Sequence, residues 1–74
     1  RIVIDLYSND REIDGSVIIS MFAKVLDVKP DRAVCVAIPS LSDVGKNLAK
    51  QYNIEVVEGV NIEEAASTLS RKLS

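Results

Sequence analysis

The chain has 74 residues, 47% of them apolar and 27% charged, and its nine basic and eleven acidic side chains give a net charge of −2. This length corresponds to a single small domain, residues 1–74, near the lower limit at which one core sustains a fold. The longest basic cluster is Arg71-Lys72, so we expect that this domain alone does not hold DNA or RNA. No apolar run approaches the roughly 20 residues of a membrane span, and we expect no membrane association.

The chain has one cysteine and no histidine, which limits its chemistry. Cys35 lies in an apolar segment and is expected to be a buried, inert thiol in a protein of the reducing cytoplasm. Without histidine, a zinc site and Cys-His or Ser-His-Asp catalysis are excluded in this domain. The first residue is Arg1 rather than Met, and we expect the domain to be excised from a longer chain.

The first predicted element is a strand from Arg1 to Tyr7. Ile2, Ile4 and Leu6 point to one face of this strand, since successive side chains alternate. Asp5, on the other face, interrupts an otherwise apolar segment. It is therefore the most interesting carboxylate in the chain.

A helix that ends at Val28 follows this strand, because Pro30 disfavours helix at the residue before it. Its start is ambiguous, since either Asp10 or Asp14 could cap it. Apolar residues recur every four positions along it: Ile13, Val17, Met21 and Val25, joined by Ile18, Phe22 and Leu26 on an adjacent track.

The second strand lies within Arg32 to Ile38, where Ala33 to Ile38 are all small or apolar. A run without alternation is typical of a strand buried on both faces of a parallel sheet, so we place it at the sheet centre. A cap within Ser40-Leu41-Ser42-Asp43 begins the next helix, from Val44 to Tyr52. Four residues are predicted to form its buried side: Leu41, Val44, Leu48 and Tyr52.

The third strand runs from Ile54 to Glu58, and its two glutamates suggest a more exposed position than the centre. Asn61 and Glu64 have the spacing of a capping box and begin the last helix. Its buried stripe is predicted to comprise Ile62, Ala65, Ala66, Leu69 and Leu73. The order β-α-β-α-β-α with short loops predicts an α/β fold, in which helices pack on a three-stranded parallel sheet.

Polar side chains follow each strand at its carboxyl end, where open parallel sheets bind ligands. Hydroxyl, amide and carboxylate groups at helix N-termini can hold an anion or a hard cation, but the same residue types cap helices. Both interpretations stay open at this stage. The candidate ligand-binding residues are Ser8, Asp10, Ser40, Ser42 and Asn61.

Carboxylates are the remaining candidates for metal or catalytic chemistry, in the set Asp5, Asp10, Glu12 and Asp14. Asp5 is the candidate catalytic acid, and Asp5 with Asp10 would be the metal ligands. The alternative for the last three is a solvated helix start. We expect no resident cofactor, with Mg²⁺ as the one metal that such an acidic set would take.

The chain resembles the second half of the restriction-endonuclease-like (PD-(D/E)XK) fold, including its archaeal resolvase and Mrr-type members. The resemblance rests on a carboxylate-bearing first strand, on the strand Ala33 to Ile38, on a loop with Ser40 or Ser42, and on the segment from Leu48 to Gly59. By position it implies that Asp5 is the metal-binding acid of an Asp-x-Lys motif. Tyr7 stands where the family has its catalytic lysine, and the preceding Pro-Asp strand is absent. The resemblance therefore implies a non-cleaving relative.

Three functions follow as hypotheses. The first is a non-catalytic interaction or regulatory domain, for dimerisation or docking, in a larger intracellular protein that acts on nucleic acid. A small sheet has edges that invite pairing with another chain, so a protein partner or a homodimer is expected. The alternatives are a Rossmann-like module that binds a small anionic ligand, and a metal-dependent nuclease fragment.

Overall fold

A computed structural model describes all 74 residues and contains one parallel sheet of three strands and three α-helices. The elements are β1 (Ile2–Ser8), α1 (Ser16–Val28), β2 (Arg32–Ile38), α2 (Asp43–Gln51), β3 (Glu55–Glu58) and α3 (Ile62–Leu73). The predicted α/β fold and its β-α-β-α-β-α order are thus confirmed. The strand order in the sheet is β1-β2-β3.

The central strand β2 is buried on both faces, as its apolar run predicts. Ala33 to Ile38 are each at most 6% exposed. Alternate side chains of this strand enter two separate cores, because they project to opposite sides of the sheet. Cys35 belongs to one core and Val36 to the other.

Helices α1 and α2 cover one face of the sheet together. Right-handed crossovers from β1 to β2 and from β2 to β3 advance in the same direction, and they therefore place both helices on the same side. Ile18 and Met21 of α1 and Ala49 of α2 pack in this core with Ala33 and Cys35. On this face the ring of Phe22 in α1 stacks on the ring of Tyr52, which directly follows α2, at a centroid distance of 4.1 Å.

Helix α3 lies alone on the opposite face. It packs on β2 and β3, and none of its Cα atoms lies within 8 Å of a β1 Cα atom. Its Ala65 joins Val34, Val36 and Val57 in the smaller core. One helix therefore covers only two of the three strands on this face.

Two details of helix packing differ from the prediction. Val44 was expected in the core but is 66% exposed, because Gly45 and Leu41 face the interior at the start of α2 and turn Val44 outward. The stripe of α3 is buried only at Ala65, and Ile62 is 57% exposed. The rest of the apolar stripe is partly or fully exposed because no second helix lies beside α3, over β1, on this face of the sheet.

The start of α1 also differs from both predicted alternatives. The helix begins at Ser16, with Gly15 in the N-cap position and no side-chain cap there. Asp14 instead accepts a hydrogen bond from the Ser16 N–H through its side chain, at 3.0 Å. None of the three helices combines the length and apolarity that crossing a bilayer requires.

Candidate functional site

The candidate ligand residues follow the carboxyl ends of the parallel strands, as predicted. Two of them use their side chains to cap helices. Ser42 Oγ accepts a hydrogen bond from the Gly45 N–H at 3.0 Å, and Asn61 Oδ1 accepts one from the Glu64 N–H at 2.9 Å. Ser8 and Asp10 are exposed and Ser40 is half-buried. The capping interpretation thus accounts for Ser42 and Asn61.

Two backbone hydrogen bonds join the loops that follow β1 and β2. The Ile13 N–H donates to the Ser40 carbonyl at 2.7 Å, and the Ser42 N–H donates to the Ile13 carbonyl at 2.9 Å. Ile13 and Leu41 are 5% and 1% exposed at this bridge. The sequence pattern assigned Ile13 to a helix, whereas the structure uses it to hold these two loops together.

Glu58, at the end of β3, fastens the loop before α2. Its carboxylate accepts a hydrogen bond from the Leu41 N–H at 2.7 Å and lies 3.5 Å from Lys46 Nζ. A carboxylate that binds a backbone N–H stabilises the loop by more than a neutral acceptor does. Contacts of Ile13, Leu41 and Glu58 therefore connect the three loops at the carboxyl edge of the sheet, where a ligand site was predicted.

Asp5 forms a cluster with Lys24 and Tyr7. Its two carboxylate oxygens lie 3.0 and 2.9 Å from Lys24 Nζ, and the Tyr7 hydroxyl donates to one of them at 3.3 Å. The Asp5 side chain is 17% exposed. Burial, and then the negative charge of Asp5, raise the pKa of Tyr7. The residue that stands where the resemblance expects a lysine is thus a hydrogen-bond donor to the candidate acid.

Lys24 is a member of this cluster that the sequence did not point to. It lies on α1, nineteen residues from Asp5 in the chain, and it supplies the cation that β1 lacks. Asp10 makes none of the hydrogen bonds of this cluster. No group of three or more acidic, cysteine or histidine side chains is placed to hold a metal ion.

A charged depression of about 250 Å³ lies at the amino-terminal edge of the sheet. There Arg32 donates to both oxygens of Glu55, at 2.8 and 2.7 Å, and Lys72 Nζ lies 3.9 Å from the same carboxylate. The hydrogen bonds from Arg32 lower the pKa of Glu55. These charges are paired with one another and link β2, β3 and the end of α3.

An uncovered apolar surface lies between β1 and α3, and we call it the β1–α3 groove. It has a volume of about 210 Å³, and all seven residues that line it are apolar: Ile4, Leu6, Val36, Ile62, Ala65, Ala66 and Leu69. Leu6 and Ile62 on its two walls are 53% and 57% exposed, and Ile4 on its floor is 43% exposed. Four of the eight exposed large apolar side chains of the chain belong to this surface or adjoin it, namely Ile2, Ile4, Leu6 and Ile62.

The outer edge of β1 carries unpaired backbone groups. The Arg1 carbonyl and the Asn9 N–H both point toward β2, where they bond to Asp31 at 2.8 Å and to Ile38 at 3.1 Å. Backbone groups alternate in direction along a strand, so odd-numbered residues of β1 face β2. The N–H and C=O groups of the even-numbered residues face outward without a partner strand among the 74 residues: Ile2, Ile4, Leu6 and Ser8.

The fold defines the chain as a small α/β domain with an uncovered strand. No protein-family model matches the chain, and no curated protein and no solved structure is significantly similar to it. The resemblance to the restriction-endonuclease-like fold stays a prediction from its motifs.

Proposed function

We propose that this domain is a non-catalytic docking module that binds an amphipathic helix of a protein partner in the β1–α3 groove. The observation that carries the proposal is that the groove is entirely apolar while no helix packs on β1 on this face of the sheet. Contiguous exposed apolar surface on a small protein is often an interaction site. A role inside a larger intracellular protein, as expected from the sequence, accords with this kind of surface.

The dimensions of the sheet favour a helix as the occupant. Neighbouring strands lie about 4.8 Å apart and packed helices about 8–10 Å apart, so a face of three strands accommodates about two helices. The opposite face has two, α1 and α2, whereas this face has only α3 over β2 and β3. The open space over β1 is therefore the width of one helix.

The chemistry of the lining sets the chemistry of the partner. No side chain in the groove can donate or accept a hydrogen bond, so a polar group of the partner placed there would lose its water without compensation. A helix with apolar residues at positions i, i+3 or i+4 and i+7 presents a surface that meets this condition. The Asp5 charge does not oppose such a partner, because Asp5 pairs with Lys24 of α1 on the other face.

The proposal is tested with a designed peptide of about 16 residues that has leucine at helical spacing on one side and Lys, Glu and Gln elsewhere. In methyl NMR spectra, the peptide should shift the signals of Ile4, Leu6, Ile62 and Leu69. Leu6→Lys should weaken binding at least about tenfold, since a charge is then buried in an apolar contact.

Leu26→Lys is the matched control, because Leu26 of α1 is 60% exposed on the opposite face. It should leave the affinity within about twofold, a change below 0.5 kcal/mol. Shifts centred on Ile19 and Leu26 instead, or equal binding by the two variants, would overturn the assignment of the groove.

A further inference from the structure

The outer edge of β1 is a feature that a helix over the groove does not use. Such a helix contacts side chains on one face of the sheet, whereas the free N–H and C=O groups lie in the plane of the sheet. The edges of natural sheets are protected against pairing by lysine, proline or bulges. β1 contains neither lysine nor proline, and its register with β2 runs without interruption from Ile2 to Ser8. Its one charged side chain, Asp5, is paired with Lys24 of the same chain.

We propose that two copies of this chain pair in antiparallel fashion along their β1 edges, with Ile4 on the two-fold axis. In that register Ile4 faces Ile4 of the second copy, and Ile2 faces Leu6. These are the residues whose backbone groups point outward, so all three facing pairs are of the hydrogen-bonded type. The two three-stranded sheets become one continuous sheet with the order 3-2-1-1-2-3.

Symmetry leaves few alternatives to this register. Because outward-facing backbone groups occur on every second residue, the axis must pass through a residue rather than between two. An axis on Asp5 places two carboxylates directly opposite each other at a non-hydrogen-bonded site, where Cα atoms are about 4.5 Å apart and like charges are destabilising. An axis on Val3 leaves Leu6 beyond the paired segment.

Charge complementarity also favours the axis on Ile4. With this register Asp5 faces Val3 of the second copy, and its two diagonal neighbours there are Arg1 and Asp5. Diagonal neighbours lie about 7–8 Å apart at Cα, within reach of a long side chain. Each Asp5 carboxylate is already bound by Lys24, and Arg1 of the second copy adds a further cation that offsets the diagonal approach of the second Asp5. No two carboxylates stand directly opposite each other. The strand is thus complementary to itself, which is the argument for a second copy as the partner.

The pairing joins two strands of only seven residues each, a short interface compared with the roughly 1,200 Å² of stable complexes, so we expect the dimer to be reversible. Sedimentation equilibrium of the unmodified chain should show a dimer fraction that rises with concentration. Ile4→Lys should abolish this dimer, whereas Ile62→Lys, at an exposed groove position on α3, should leave it unchanged. Circular dichroism of both variants checks that they are folded.

The register is measured with single cysteines at Val3, Ile4, Asp5 and Leu6 in a Cys35→Ala background. Around a two-fold axis only the residue on the axis meets its own copy, and facing residues of a hydrogen-bonded pair have a Cα separation of about 5.5 Å, which a disulfide can span. Under mild oxidation Ile4→Cys should form covalent dimers at least tenfold faster than the other three.

A chain that is monomeric at every concentration, or one that cross-links fastest at Asp5 or Val3, would overturn this inference. Neither result bears on the docking proposal, which is read from peptide binding to the β1–α3 groove. Ile62→Lys separates the two surfaces, because Ile62 belongs to the groove alone, whereas Ile4 and Leu6 belong to both the groove and the strand edge.

Discussion

Gly15 and Gly45 bring the starts of α1 and α2 into backbone contact. A Cβ atom on Gly15 would lie 3.0 Å from the Gly45 nitrogen, and one on Gly45 would lie 3.1 Å from the Gly15 Cα. The two glycines therefore set how closely the helices approach at the carboxyl edge of the sheet. Neither has a positive φ angle, so the reason for glycine here is space.

Gly45→Ala is expected to destabilise the protein by up to about 2 kcal/mol. The new methyl group would lie 2.7 Å from Leu41 Cγ, and overpacking of this kind costs about 1–3 kcal/mol. The gain of about 1 kcal/mol from replacing a glycine inside a helix offsets part of this cost. Urea denaturation measures the difference. Ser20→Ala on the exposed side of α1 is the control and should stay within about 0.5 kcal/mol of the unmodified chain.

The glycine contact illustrates which parts of this fold can be predicted from the sequence. The uninterrupted apolar run from Ala33 to Ile38 predicted the sheet centre, since burial on both faces leaves a pattern in one segment. Nothing in a single segment shows that Gly15 and Gly45 meet, because they are thirty residues apart. The outward position of Val44 follows from that contact and was for the same reason predicted wrongly.

The candidate site shows the same limit. Helix capping by Ser42 and Asn61 could be proposed from the sequence, because a cap bonds to a residue only three positions away. The bond of Lys24 to Asp5 and that of Glu58 to the Leu41 N–H join residues 19 and 17 positions apart. The β1–α3 groove could not be predicted at all, because the pattern of α3 indicates which side is apolar but not whether a neighbour covers it.

Alkaline pH should weaken the fold through Cys35. Burial, and then the nearby charge of Asp5, raise the pKa of this thiol from 9.0 to about 11. The unfolded chain loses the proton above about pH 9 while the folded chain keeps it, so the unfolding free energy falls as the pH rises from about 9 to 11. The full loss is about 2–3 kcal/mol, since one pKa unit corresponds to about 1.4 kcal/mol.

Urea denaturation at several pH values measures this loss, and Cys35→Ala is the control. The variant should be less stable at neutral pH, because it leaves a small cavity at a fully buried position. Its stability should decline less between pH 9 and 11. The raised pKa of Tyr7 acts in the same direction above about pH 10, so some decline should persist. An unchanged pH profile in Cys35→Ala would refute the assignment to the thiol.

Glu58→Ala is expected to destabilise the chain by about 1–3 kcal/mol, because it leaves the N–H of the buried Leu41 without its acceptor. Glu58→Gln keeps an oxygen at the same position and should lose less. Amide hydrogen exchange gives the local measurement: the Leu41 N–H should exchange faster in Glu58→Ala and near its original rate in Glu58→Gln. Equal exchange in both variants would mean that the negative charge, through Lys46, stabilises the loop rather than the hydrogen bond.

Ser42 allows the capping and ligand-binding interpretations of the carboxyl edge to be separated. Because Ser42 Oγ caps the Gly45 N–H, Ser42→Ala should cost about 1 kcal/mol in unfolding free energy. Ser42→Asp should retain stability, since aspartate caps helices equally well and its charge suits the helix N-terminus. An anion site would respond differently: stability of the chain would rise with phosphate concentration, and Ser42→Asp would abolish that rise by repulsion. Thermal unfolding of the three proteins with and without phosphate therefore discriminates the two roles, and we expect the capping pattern with no specific phosphate effect.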